Sequence, residues 1–155
     1  LEKNNYKKKR KRDLLVVKHL SQSESIAIVF YVFLALVSGG RGVAFLKLTE
    51  PVILESEWYI ALHQAISLDV WGSLLLILSV LLLLSIITSP SPTFWLAFIA
   101  NSGLAIIFIL LSGAAIDNSL VFWNFYINML LALAHSMLAV IGGYWLWIKK
   151  KKTDM

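Results

Sequence analysis

Four stretches of this chain are apolar for long enough to cross a bilayer, and its polar and charged residues gather mostly between and beyond them. A helix needs about 20 residues to span roughly 30 Å of hydrocarbon. The runs that meet this length cover about 26–46, 70–87, 94–116 and 121–148. Ahead of the first, Ser21-Gln22-Ser23-Glu24 has the S-x-x-E form of a capping box, in which side chains satisfy free backbone N–H groups at a helix start. After the second, Ser89-Pro90-Ser91-Pro92 predicts a tight turn, because proline lacks an N–H and disfavours helix before it. Asp117, Asn118 and Ser119 link the last two spans. The fold class expected is all-α: a polytopic membrane protein with four transmembrane helices.

Composition agrees, since 59% of the 155 residues are hydrophobic and only 15% are charged. Charge then orients the spans. Lys7, Lys8, Lys9, Arg10, Lys11 and Arg12 stand near one end and Lys149, Lys150, Lys151 and Lys152 near the other. Twelve of the fourteen Lys/Arg residues lie in 3–18 or 149–152, so the net charge of +5 describes two tails and not a basic surface. Cytoplasmic flanks carry such excesses, which predicts both ends inside. The organisation expected is a basic cytoplasmic segment over 1–20, a transmembrane domain over 21–148, and a basic cytoplasmic tail over 149–155. The proposed outer segments, 47–69 and 117–120, carry Glu50, Glu55, Glu57, Asp69 and Asp117 against Lys47 alone. Aromatic residues fall near the expected interfaces, with Trp58, Trp71, Trp123 and Tyr126 outside and Trp95, Tyr144, Trp145 and Trp147 inside. The lysine and arginine runs are topology anchors that touch anionic lipid at both termini, and nucleic acid is not an expected partner.

A basic region followed by an apolar stretch also has the order of a signal peptide, but the apolar run continues past Gly39-Gly40, which favours a retained span. Leu1 in place of an initiator Met leaves a fragment and a non-standard start codon both open. In the loop 47–69, Trp58, Ala61, Leu62, Ala65 and Ile66 recur at helical spacing, so a short helix on the outer surface and an ordinary loop are equal expectations.

The fourth span has two faces. At 100° per residue, Asn124, Asn128, Ala132, His135, Ser136, Ala139, Gly142 and Gly143 share a sector of about 120°, while Trp123, Tyr126, Leu130, Leu133, Met137 and Ile141 lie mostly opposite. Asn124, Asn128, His135 and Ser136 form the candidate polar face. Ala132, Ala139, Gly142 and Gly143, with Asn101 and Ala105 on the third span, are the candidate packing residues, because small side chains let helices approach and amides bond across. Ala97 and Ser112 extend the third span's stripe, and Tyr31, Ala35, Ser38 and Gly42 make one on the first. The second span, leucine-rich all round, is expected to face lipid or another subunit.

Two ionisable residues fall inside spans, where charge is costly and function is the default question. His135 is expected to be a hydrogen-bonded packing residue near the middle of the fourth span. Arg41 is expected in the outer leaflet, snorkelling to the surface or meeting Asn124 or an outer acid. Cysteine is absent, which excludes disulfides and thiolate chemistry. Catalytic motifs are absent too, so no enzyme, cofactor or metal is expected.

Val70-Trp71-Gly72-Ser73 through Ile77, and Ala134-His135-Ser136 through Tyr144-Trp145-Leu146-Trp147-Ile148 with its lysines, resemble small four-helix membrane proteins encoded by phages and prophages of Gram-positive bacteria. The resemblance covers about the C-terminal half. It implies a protein that is holin-like in size and charged tail, in a group whose activity is mostly unassigned. The first expectation is a non-enzymatic protein of a bacterial cytoplasmic membrane, holin-like and acting as a homo-oligomer or with a membrane partner. A small carrier or channel using the polar face, and an accessory subunit of a larger membrane partner, are the alternatives.

Overall fold

The computed structural model describes residues 22–48, 56–88, 90–115 and 122–153. It is all-α, with α1 (Gln22–Leu46), α2 (Glu57–Ala65), α3 (Leu68–Ile87), α4 (Pro90–Gly113) and α5 (Phe122–Thr153). Four of these helices are long and apolar enough to cross a membrane, over Ser25–Leu46, Leu68–Ile87, Phe94–Gly113 and Trp123–Ile148. The basic run Lys7–Arg12, the capping serine Ser21 and the link 117–119 lie outside the described residues.

The helix ends depart from the sequence expectation for local reasons. Instead of turning through Ser89–Pro92, the chain starts α4 at Pro90. The first turn of a helix has free N–H groups in any case, so prolines there remove no hydrogen bond. The far end of α5 continues through the lysines to Thr153, because Lys is a good helix former and nothing in the run breaks the ladder. Lys151 then lies over Trp147, with its Nζ 5.5 Å from the ring centroid.

Two compact units divide the chain, Leu1–Phe30 and Tyr31–Met155. Of the first, the described part is the beginning of α1. The second holds the rest of α1 and all of α2 to α5, with α5 packed most extensively on α4 and α4 on α3. Neighbouring helices run antiparallel. Gly39 faces Ser79 while Gly42 faces Gly72, and Gly142 faces Phe98 while His135 reaches Asn101.

A continuous core runs through this unit, with Leu34, Leu75, Leu82, Leu104, Phe108 and Leu111 all essentially inaccessible. Opposite faces are apolar and exposed, including Leu36, Ile77, Ile106, Leu133 and Val140. That inversion suits hydrocarbon surroundings, where an exposed leucine has no water to avoid.

α3 corrects the expectation of a lipid-facing second span. Leu68, Trp71, Gly72, Leu75, Ser79, Leu82 and Ser85 form a buried stripe whose members recur at three- and four-residue spacings. Its centre is the crossing with α1: a Cβ built on Gly72 would lie 2.7 Å from the Gly42 carbonyl oxygen, and one built on Gly42 would lie 2.8 Å from the Gly72 oxygen. Only glycine at both positions lets the backbones meet there. The serines of the stripe return their hydroxyls to their own helix, Ser79 to the Leu75 carbonyl and Ser85 to that of Leu82, both at 2.6 Å.

Candidate polar core

The polar positions of α1, α4 and α5 meet inside the bundle. His135 is completely buried and both ring nitrogens are engaged. Its Nδ1 lies 2.8 Å from Asn101 Oδ1 and its Nε2 lies 3.3 Å from Ser38 Oγ. Asn101 Nδ2 already donates to the Ala97 carbonyl at 2.8 Å, which assigns Oδ1 as the side facing the histidine. Nδ1–H therefore donates to Asn101, and Nε2 accepts the Ser38 hydroxyl. The Phe108 ring stacks on the imidazole, with centroids 5.7 Å apart and planes within 5°. Three helices thus hold this ring through one bond each to α1 and α4 and a stacked neighbour, an arrangement that fixes their rotation about their axes.

Nearer the α2 end lies a second polar group. Arg41 Nη1 donates to Asn128 Oδ1, joining α1 to α5. Asn128 takes the place of the expected Asn124, because the stagger of the two helices brings the residue one turn deeper level with Arg41; of the outer acids, Glu50, Glu55 and Asp117 lie outside the described residues. Nor does the side chain lead straight out to the surface. Its Cζ lies 5.9 Å from the Trp58 ring centroid and 6.0 Å from that of Phe108, so the guanidinium sits between two aromatic faces. No ion pair forms among the described residues.

Trp58 comes from α2, a helix the sequence left evenly balanced against a loop. Only Trp58 and Leu62 are buried, whereas Ala61, Ala65 and Ile66 of the expected apolar face are exposed. The helix is tied down by rings and one polar bond. Trp58 packs 6.1 Å from Phe45 and 4.9 Å from Tyr59, and Trp71 Nε1–H donates to the Leu62 carbonyl at 3.3 Å.

Among the other residues singled out in the sequence, Ala97, Ala105, Ser112, Ala132, Ala139 and Gly142 are buried, while Asn124, Ser136 and Gly143 are half-buried. Gly142 and Gly143 both receive Phe98 of α4, at 3.6 and 3.3 Å from where a Cβ would stand. Among the described residues, two buried donors have no hydrogen-bond partner, Trp58 Nε1 and Asn128 Nδ2. Each such group costs about 1–3 kcal/mol when water is excluded. Nothing in the sequence marks Trp58 or Phe108 as part of this centre, since aromatic residues in and beside apolar spans are ordinary and their facing is a tertiary matter. Among the described residues no cluster of three or more His, Asp or Glu side chains is placed to hold a metal.

The fold defines a small all-α chain with four candidate membrane-spanning helices, which suggests a multi-pass membrane protein. It matches no known protein family, no curated protein and no solved structure. The resemblance to phage-encoded proteins rests on the sequence pattern alone.

Proposed function

We propose that the chain is a non-enzymatic integral membrane protein of a bacterial cytoplasmic membrane, with both basic ends cytoplasmic, and that each copy is a packed bundle and not a conduit. The observation that supports this reading is the engagement of His135. A conduit along the polar face of α5 needs side chains open to passing ions or solutes, whereas both nitrogens of this ring are bonded to neighbouring helices. In such a protein, activity comes from association: with further copies, as in a holin-like protein of phage origin, or with a larger membrane partner. The apolar outer faces and the lysine tail suit both forms, and the selective carrier is the weaker reading.

The orientation is tested by single cysteines, since the chain contains none of its own. Ser56→Cys should react with a membrane-impermeant thiol reagent in intact cells, and Ser21→Cys and Thr153→Cys only after permeabilisation; the reverse pattern would overturn the orientation. Inducible expression with membrane potential and viability followed over time tests the rest, beside a variant lacking Lys149 to Lys152. Abrupt, timed depolarisation supports the holin-like form, and an unchanged potential at confirmed membrane expression supports the accessory subunit. Depolarisation that rises in proportion to copy number from the start, and that His135→Ala abolishes, would sink the packed-bundle reading.

A further inference from the structure

Among the described residues, hydrogen-bond donors outnumber acceptors around Arg41. A guanidinium carries five N–H groups and a permanent charge. The described surroundings offer it the Asn128 amide oxygen and the faces of Trp58 and Phe108, which supply partial negative charge but no counter-charge. The two groups beside it make the imbalance larger. Asn128 Nδ2 belongs to the amide whose oxygen meets the guanidinium, and Trp58 Nε1 to the ring that the guanidinium covers. Both are donors without a partner, on residues that are 0% and 3% exposed.

We propose that Arg41, Asn128 and Trp58 form a binding site for an oxyanion, a carboxylate or phosphate group, at the α2 end of the bundle. What the described residues here lack is negative charge together with several lone pairs, and an oxyanion brings both. A neutral alcohol or amide would leave the charge uncompensated, and a cation would meet the guanidinium. The planar fork of arginine matches the paired oxygens of a carboxylate or phosphate, with the amide and indole N–H groups as additional donors. Arg41 precedes the end of α1 at Leu46 by five residues, about 7–8 Å of helix rise, a depth within reach of the interface. Arg41 itself is only half-buried, so the approach is at the guanidinium, whereas the Asn128 and Trp58 donors are closed to solvent. Two sources offer this chemistry: the phosphate of an anionic lipid headgroup, and a free small oxyanion.

The test uses the full chain in nanodiscs of neutral phosphatidylcholine, with thermal unfolding followed as phosphatidylglycerol is added to the disc or as inorganic phosphate or acetate is added at fixed ionic strength. Wild type should be stabilised by one class of probe. Trp58→Phe, which keeps a ring and removes the N–H, should weaken the apparent affinity of the site about tenfold, and Arg41→Gln should leave only the response of the basic termini. The basic termini respond to phosphatidylglycerol in every variant, so the site is read from the difference between variants. A response to lipid alone assigns a headgroup, and a response to phosphate or acetate alone assigns a free oxyanion. Should Arg41→Gln not fold, Trp58→Phe decides by itself. Responses of Trp58→Phe equal to those of wild type for both classes of probe would overturn the proposal.

Discussion

The α1–α3 crossing gives a prediction whose sign changes within three residues of one helix. A Cβ on Gly72 would stand 2.7 Å from the Gly42 carbonyl oxygen and 2.9 Å from Leu46 Cγ. Close carbon to carbonyl-oxygen contacts are seen at roughly 3.3–3.6 Å, so Gly72→Ala forces the helices about 0.6 Å or more apart. The obstacle is backbone and cannot rotate away. Overpacking of this kind costs about 1–3 kcal/mol, against which alanine returns about 0.5–1 kcal/mol of helix propensity. Gly40 serves as the control, because nothing lies within 4 Å of a Cβ there. Gly40→Ala should stabilise by the propensity gain alone. The difference between the two variants cancels that gain and leaves about 1–3 kcal/mol as the cost of the crossing. Gly42→Ala, whose Cβ would meet the Gly72 oxygen at 2.8 Å, should match Gly72→Ala. The double variant should cost less than the sum, since one separation relieves both clashes. Unfolding in mixed micelles titrated with a denaturing detergent, followed by circular dichroism, measures all four. Equal stabilities for Gly72→Ala and Gly40→Ala would refute the close crossing.

Other substitutions probe the core by the same assay. His135→Ala should destabilise by about 2–4 kcal/mol, because it opens a cavity beside Phe108 and leaves Asn101 Oδ1 without its donor, whereas Trp123→Ala, at a residue 74% exposed, should stay within about 0.5 kcal/mol. Asn101→Ala should cost more than Ser38→Ala, since Asn101 bonds both His135 and the Ala97 carbonyl at 2.8 Å while Ser38 makes one bond of 3.3 Å. Gly103→Ala should cost under about 1 kcal/mol despite a Cβ to Leu78 Cδ1 distance of 2.8 Å, because the atom it meets ends a flexible side chain.

How much of this was legible in the sequence differs from helix to helix. In α5, small and polar residues alternate with bulky ones at helical spacing, so its buried face was readable before any partner was known. In α3, hydrophobicity is nearly uniform around the axis. Its face was written only in Gly72, Ser79 and Ser85, which a reading for apolar periodicity passes over. The short helix α2 was balanced against a loop for a different reason: nine residues are too few to be helical on propensity alone, and what holds them is Trp58 and Leu62 packed on the bundle.

The sequence by itself determined the four candidate spans, because helix length and hydropathy are local properties that the energetics of a bilayer reads one segment at a time. It also determined which face of α5 is polar. Only the tertiary structure decided that Asn128, and not Asn124, meets Arg41, that Trp58 of α2 joins that pair, and that Gly42 lies on Gly72. Those outcomes depend on the axial stagger and rotation of one helix against another. Such quantities are set by the fit of whole surfaces and are encoded in no single segment.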